Sequence, residues 1–233
     1  MPNRIVSSIP NTITCLNLIS GCVAIFMAFH LDETFGCLSG ASWAMIAIGA
    51  AAVFDFLDGA SARLLKAFSP LGKDLDSLSD LVSFGVAPAM LMLNTMLACG
   101  TQLPVAFACM LIPAFGALRL AKFNNDSEQA TSFRGLPIPA NAIFWIGVYG
   151  WISSYAYPGW FVMWVLIAFM CAAMVGRFKM FSLKFKNFDF HENFIRYTII
   201  AAAIIFVAIY GISGLAWTIL FYLLLSILRQ SRI

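Results

Sequence analysis

Long apolar runs broken by short polar stretches make up this chain, rather than the period-2 or period-3.6 alternation of a half-exposed soluble fold. Eight such runs lie at roughly 11–30, 38–57, 78–98, 103–123, 138–155, 158–175, 195–212 and 214–229. Each is close to the ~18 nearly uncharged residues that cross a bilayer as a helix. A membrane β-barrel would instead show short alternating strands. The pattern therefore predicts an all-α integral membrane protein, a bundle of about eight transmembrane helices, with residues 1–233 forming a single membrane domain. The softest boundary is Tyr157-Pro158-Gly159. Taken as a break it separates two helices; read through, 138–175 becomes one long broken helix. No small-residue cleavage site follows the first run, so that run is expected to remain as a span.

Composition sharpens the class. Of 233 residues, 61% are hydrophobic and 11% charged, against about 25% charged in an ordinary soluble domain. Charge placement then orients the chain. With eight spans and the N-terminus inside, all 14 Lys and Arg residues fall on inside segments, including Arg63, Lys66, Lys73, Arg119, Lys122, Arg134 and the run from Arg177 to Arg196. The outside loops hold none, and the first carries Asp32 and Glu33 instead. That is the positive-inside distribution, so both termini are expected in the cytoplasm. The expected location is the cell (inner) membrane, with the active site facing the cytoplasm. The six cysteines show no CxxC spacing that would suggest zinc or redox chemistry. No basic run with interleaved aromatics suggests a nucleic-acid partner.

The acids carry the chemistry. Asp55 and Asp58 stand at the end of the second run and Asp76 and Asp80 open the third, with Gly59, Arg63 and Gly72 between. Ionised groups this close to hydrocarbon cost about 2.5–3.5 kcal/mol each at a helix centre, less near an end. The i,i+3 and i,i+4 spacings put each pair on one helix face. Two antiparallel helices joined by a short loop would bring the four carboxylates together, where they cannot all ionise unless cations lie between them. Two hard divalent cations, Mg2+ or Mn2+, suit such oxygen donors. Ions about 3.5–4 Å apart could clamp an in-line phosphoryl displacement. Gly59 and Ala62 leave the helix face bare for a bulky phosphate or nucleotide, and Arg63 offers a fixed fork for its oxygens. The plainer reading pairs the acids with Arg63, Lys66 and Lys73 in a solvated loop. Surface pairing, however, needs no aspartate inside an apolar run.

Asp55-Phe-Leu-Asp58-Gly59-Ala-Ser-Ala62-Arg63, then eight residues, then Gly72-Lys-Asp-Leu-Asp76-Ser-Leu-Ser-Asp80 resembles in full the DxxDGxxAR(x8)GxxxDxxxD signature of the CDP-alcohol phosphatidyltransferase family. The resemblance implies that Asp55, Asp58, Asp76 and Asp80 are metal ligands and that Asp80 is also the base for the acceptor hydroxyl. It places Gly59, Ala62, Arg63 and Gly72 along the CDP site. Further segments, Pro10-Asn11-Thr-Ile-Thr14-Cys-Leu-Asn17, Ser79-Asp80-Leu-Val-Ser83-Phe84-Gly85, Ala117-Leu-Arg119-Leu-Ala-Lys-Phe123 and Phe133-Arg-Gly135-Leu136-Pro137-Ile-Pro139, resemble the membrane-embedded members whose acceptor is serine. The reaction implied is CDP-diacylglycerol plus L-serine giving phosphatidylserine and CMP. A catalytic core over about 10–175, followed by two C-terminal spans over about 195–229, and a homodimer among membrane lipids are implied with it. Another acceptor, glycerol 3-phosphate or inositol phosphate, is the nearest alternative. A cation-coupled transporter is the competing class, although the acidic motif is not repeated in the second half as transporter repeats would suggest.

Four candidates are weaker. Asn11 and Thr14 belong to the first matched segment and are expected near substrate. Arg119, near the inner end of the fourth run, could bind the serine carboxylate or a lipid phosphate, or anchor the topology. Lys184 lies in a segment where lysines alternate with phenylalanines; it reads as an interfacial anchor, with a substrate-phosphate contact as the sharper alternative.

Overall fold

The computed structural model describes residues 4–125, 133–180 and 190–230, and the chain forms two compact units, Met1–Leu120 and Ala121–Ile233. It is mostly helical, and among the described residues five stretches are long and apolar enough to cross a membrane: Ser8–Ala28, Gly40–Leu64, Pro70–Ala98, Leu103–Asn125 and Asn193–Leu228.

The first unit begins with α1 (Arg4–Ala28) and α2 (Gly40–Leu64), which pack along each other. Their facing positions are small: Ala24 and Ala28 on α1 and Ala41, Ala44 and Ala51 on α2 are completely enclosed. Small residues let membrane helices approach until their backbones touch. Gly40 is the limiting case, since a Cβ there would lie 2.0 Å from the His30 carbonyl oxygen. The link between the helices is a two-strand ribbon, β1 (Thr34–Phe35) and β2 (Leu38–Ser39), turned at Gly36 with φ 68°.

The polar signature is helical rather than looped. Helix α2 runs on past the apolar stretch, so Asp55, Asp58, Gly59, Ala62 and Arg63 all lie within it, and only residues 65–69 remain as connection. Helix α3 (Pro70–Asp80) then starts well before the third apolar run. Ser69 caps it by accepting from the Gly72 amide at 3.0 Å, and Pro70 occupies the first turn, where its missing N–H costs nothing. At Leu81–Val86 the helix widens into a π turn before continuing as α4 (Ala87–Ala98). A short helix α5 (Leu103–Ala106) and a 3-10 turn lead into α6 (Leu111–Asn125).

In the second unit, α7 (Ile138–Ser154) and α8 (Trp160–Val175) are separate helices, with Gly159 at φ 93° between them. The Leu136 amide donates to the Ala173 carbonyl at 2.9 Å. One continuous helix would hold those positions about 55 Å apart, so the chain reverses at Pro158-Gly159. Strands β3 (Phe133–Arg134) and β4 (Lys179–Met180) pair antiparallel at the other end of these two helices, where α7 begins and α8 ends. The long apolar stretch at the C-terminus likewise folds back on itself as α9 (Phe190–Tyr210) and α10 (Gly214–Gln230). The rings of Phe206 and Phe221 sit 6.1 Å apart, where a straight helix would separate them by about 22 Å.

Candidate active site

Helices α2 and α3, joined by the five-residue connection 65–69, bring the acids together. One carboxylate oxygen from each of Asp55, Asp76 and Asp80 falls within 4.8 Å of the others. Asp58 stands one turn on from Asp55 and is within electrostatic reach of Asp55 and Asp76, with the Thr14 hydroxyl beside it. The four aspartates are thus a close trio with a fourth at its edge.

Burial makes this arrangement costly. Asp58 is 5% and Asp80 8% exposed, and Asp55 and Asp76 are half-buried. Oδ2 of Asp58 and Oδ1 of Asp76 are buried and make no hydrogen bond among the described residues. An unpaired buried carboxylate oxygen loses its hydration without return. Several of them converging are stable only with positive charge among them. Hard oxygen donors, orphaned lone pairs and mutual approach within 4.8 Å fit divalent cations. The fit follows from this donor set alone.

A pocket of about 230 Å³ opens beside the acids. Asn11 and Thr14 of α1, Asp58, Gly59 and Ala62 of α2, Ser69 at the cap of α3, and Gly72, Lys73 and Asp76 of α3 line it. It therefore joins the aspartates to the capped N-terminus of α3, whose amides and dipole favour a phosphate group. Each glycine here has its own reason. A Cβ on Gly59 would meet only Arg63 Nη1 at 3.4 Å, an ordinary contact with the end of a flexible side chain, so the fold itself does not demand glycine there. A Cβ on Gly72 would lie 3.0 Å from both Asn11 Oδ1 and Ser69 Oγ, so Gly72 keeps α1 and the α3 cap in place. Arg63 is exposed and folds over Gly59.

Arg119 of α6 is 9% exposed and within electrostatic reach of Asp80, which places a guanidinium near the aspartate trio. Arg134 lies on β3. Lys184 is outside the described residues. The structure also brings to the site two residues of the matched segments that are not among the candidates: Asn17 donates to Asp80 Oδ1 at 3.2 Å, and Ser83 donates to the Asn17 carbonyl at 2.9 Å. Besides that match, a polar residue in the middle of an apolar span is a clue to Asn17.

A profile of the family described as CDP-alcohol phosphatidyltransferase matches residues 7–175. Among curated proteins, the CDP-diacylglycerol–serine O-phosphatidyltransferase of Mycobacterium leprae is 35% identical over 176 residues, 72% of this chain and 54% of that protein. The protein of the same name from Methanocaldococcus jannaschii is 32% identical over 185 residues, covering 79% of this chain and 77% of its own length. That from Bacillus subtilis is 39% identical over 134 residues, 56% and 69% respectively. The matched region spans about half the length of the mycobacterial relatives.

Proposed function

The chain belongs to the CDP-alcohol phosphatidyltransferase family, and from that membership we propose that it transfers the phosphatidyl group of CDP-diacylglycerol to the hydroxyl of L-serine, releasing CMP. The observation that carries this reading is the convergence of Asp55, Asp76 and Asp80 beside a pocket at a capped helix N-terminus. The serine acceptor is supported by the names of the relatives.

The family uses a divalent metal, and we assign two ions, Mg2+ or Mn2+, to Asp55, Asp58, Asp76 and Asp80. When bound, such ions neutralise the developing charge of the diphosphate. The chain's own residues do the rest. Gly59, Ala62, Arg63, Gly72, Asn11 and Thr14 hold the CDP portion of the donor in the pocket. Asp80 takes the proton from the serine hydroxyl as that oxygen bonds to the phosphorus of the phosphatidyl group. The bond from that phosphorus to the CMP oxygen breaks, and CMP leaves with the electron pair. Arg119 receives the serine carboxylate, the task for which a planar, always charged fork is suited. Lys184 is kept as a candidate phosphate contact.

The same reading makes residues 1–233 one membrane domain with its catalytic core over about 10–175. It has eight crossings, both termini and the aspartates on the cytoplasmic face of the cell membrane, and a homodimeric assembly. The charge distribution supports the orientation. Reporter fusions in the loops near residues 34 and 157 should report the outer face; a cytoplasmic signal from either would overturn the topology.

Purified protein given CDP-diacylglycerol and Mg2+ or Mn2+ is expected to release CMP when L-serine is added. CMP release with glycerol 3-phosphate or inositol phosphate but not with serine would replace the acceptor. In the same assay Arg119→Gln should raise the serine KM about tenfold or more while leaving the donor KM within about threefold.

Gly59 offers a sharper test of the donor pocket. Alanine is about 0.8–1.0 kcal/mol better than glycine inside a helix, and a Cβ at this position meets nothing rigid. Gly59→Ala is therefore expected to leave the thermal midpoint unchanged or higher while raising the CDP-diacylglycerol KM about tenfold or more. An unchanged KM would remove Gly59 from the donor site.

A further inference from the structure

Asn17 lies in the apolar part of α1 and is completely enclosed, yet its two polar ends are treated unequally. Its Nδ2 donates to Asp80 Oδ1 at 3.2 Å across 63 positions of sequence. Its Oδ1 is buried with no hydrogen-bond partner among the described residues. Burying an unpaired amide oxygen is unfavourable. Turning the amide over would set that oxygen against the Asp80 carboxylate, which is worse when the carboxylate is ionised. The side chain is held in the orientation that serves Asp80 and not itself.

The backbone of Asn17 is fixed from the same neighbourhood. Ser83, completely enclosed on the π turn that starts just after Asp80, donates its Oγ proton to the Asn17 carbonyl at 2.9 Å. One turn further along α1, a Cβ on Gly21 would lie 2.4 Å from Ser83 Oγ and 2.8 Å from Ser83 Cα. Only glycine lets α1 approach the π turn so closely. The widened turn sets Ser83 toward α1; Gly21 admits it; Ser83 pins the Asn17 carbonyl; and the Asn17 amide pins Asp80. π turns inside α-helices are concentrated at functional sites.

We infer that Asn17 is a positioning residue for Asp80, held in register by Ser83 across the α1 and π-turn contact. Its amide occupies Oδ1 of Asp80 and thereby fixes how the carboxyl group is rotated and which oxygen is left to act. An asparagine suits this place because it supplies a donor without adding a fifth negative charge to the four aspartates. The inference rests on the phosphatidyl-transfer reading of the aspartate site.

The test compares purified wild type with Asn17→Leu, which removes the amide but keeps the branched shape, Asn17→Ser, which is too short to reach Asp80, and Ser83→Ala. CMP release is measured over donor, acceptor and Mn2+ concentrations, together with thermal midpoints. Both Asn17 variants should lose about 10- to 100-fold in kcat with the donor and acceptor KM within about threefold of wild type; Ser83→Ala should lose about three- to tenfold with the same split. In an Asp80→Asn background, adding Asn17→Leu should cost less than about twofold more, because a residue acting only through Asp80 has nothing left to position. A kcat within threefold of wild type in a folded Asn17 variant would overturn the inference. So would a loss expressed mainly in KM, or full additivity with Asp80→Asn. If Asn17→Leu does not fold, Asn17→Ser carries the same criteria. If wild type uses another alcohol in place of serine, the acceptor reading fails, and the kcat split is then read with that alcohol.

Discussion

Replacing Asp80 by asparagine is expected to lower kcat about a thousandfold or more at saturating Mg2+ or Mn2+, with the protein still folded and the donor still bound. The substitution keeps the shape of the side chain and keeps an oxygen that can accept from Asn17 Nδ2, so the contact with α1 survives. What it removes is the capacity to take a proton and one negative charge at the most enclosed corner of the trio, where Asp80 is 8% exposed. General-base catalysis is worth about 10²–10⁴-fold, and a thousandfold corresponds to about 4 kcal/mol of transition-state stabilisation. The neighbouring aspartates do not substitute. They lie within 4.8 Å of Asp80 but belong to the same anionic cluster, and Asn17 orients Asp80 alone among them. Titrating the metal separates the two roles proposed for the residue. A loss that disappears at high Mn2+ would make Asp80 a ligand only; a loss that persists at saturation, with KM values held, marks it as the base. Retention of more than a tenth of wild-type kcat would dismiss it from the chemistry.

How much of this was legible in the chain depends on whether the signal is local. The helical membrane class is, because apolar runs of bilayer length cannot be buried any other way in a chain of this composition. The aspartate spacing is also local. The i,i+3 and i,i+4 pairs on α2 and α3 meet because the five residues 65–69 leave no other course for the two helices. The extent of α2 is less visible in a hydropathy pattern. Gly59 to Arg63 read as connection by polarity but are helical, since backbone hydrogen bonding continues wherever the residues tolerate it, apolar or not. Least visible is the support behind Asp80. Asn17 and Ser83 act over separations of 63 and 66 positions, and the π turn that aims Ser83 has no hydrophobic period of its own. Gly72 carries a similar lesson. It stands in the signature like Gly59, but the room beside its Cα is taken by Asn11 and Ser69, and only coordinates distinguish a glycine with space beside it from one packed against neighbouring side chains.

Stripping divalent cations should abolish transfer and leave a protein that is destabilised by its own site. With the ions removed, the oxygens of Asp55, Asp76 and Asp80 lie within 4.8 Å of one another, and Asp58 Oδ2 and Asp76 Oδ1 have no hydrogen-bond donor among the described residues to offset their burial. Mutual repulsion and lost hydration then both oppose the folded state. Returning Mg2+ or Mn2+ at a hundred times its dissociation constant should add about 2.7 kcal/mol of stability, seen as a higher thermal midpoint, and restore CMP release. The same physics fixes the sign of a crossed comparison. Asp76→Asn removes one charge from the cluster, so in chelator the variant should melt above wild type; in saturating Mn2+ it should melt below, because wild type gains from the ion and the variant gains little. A merely structural aspartate would give one sign under both conditions. A thermal midpoint of wild type unmoved by Mg2+ and Mn2+, with chelated protein still active, would mean that the four carboxylates are held by something other than divalent ions.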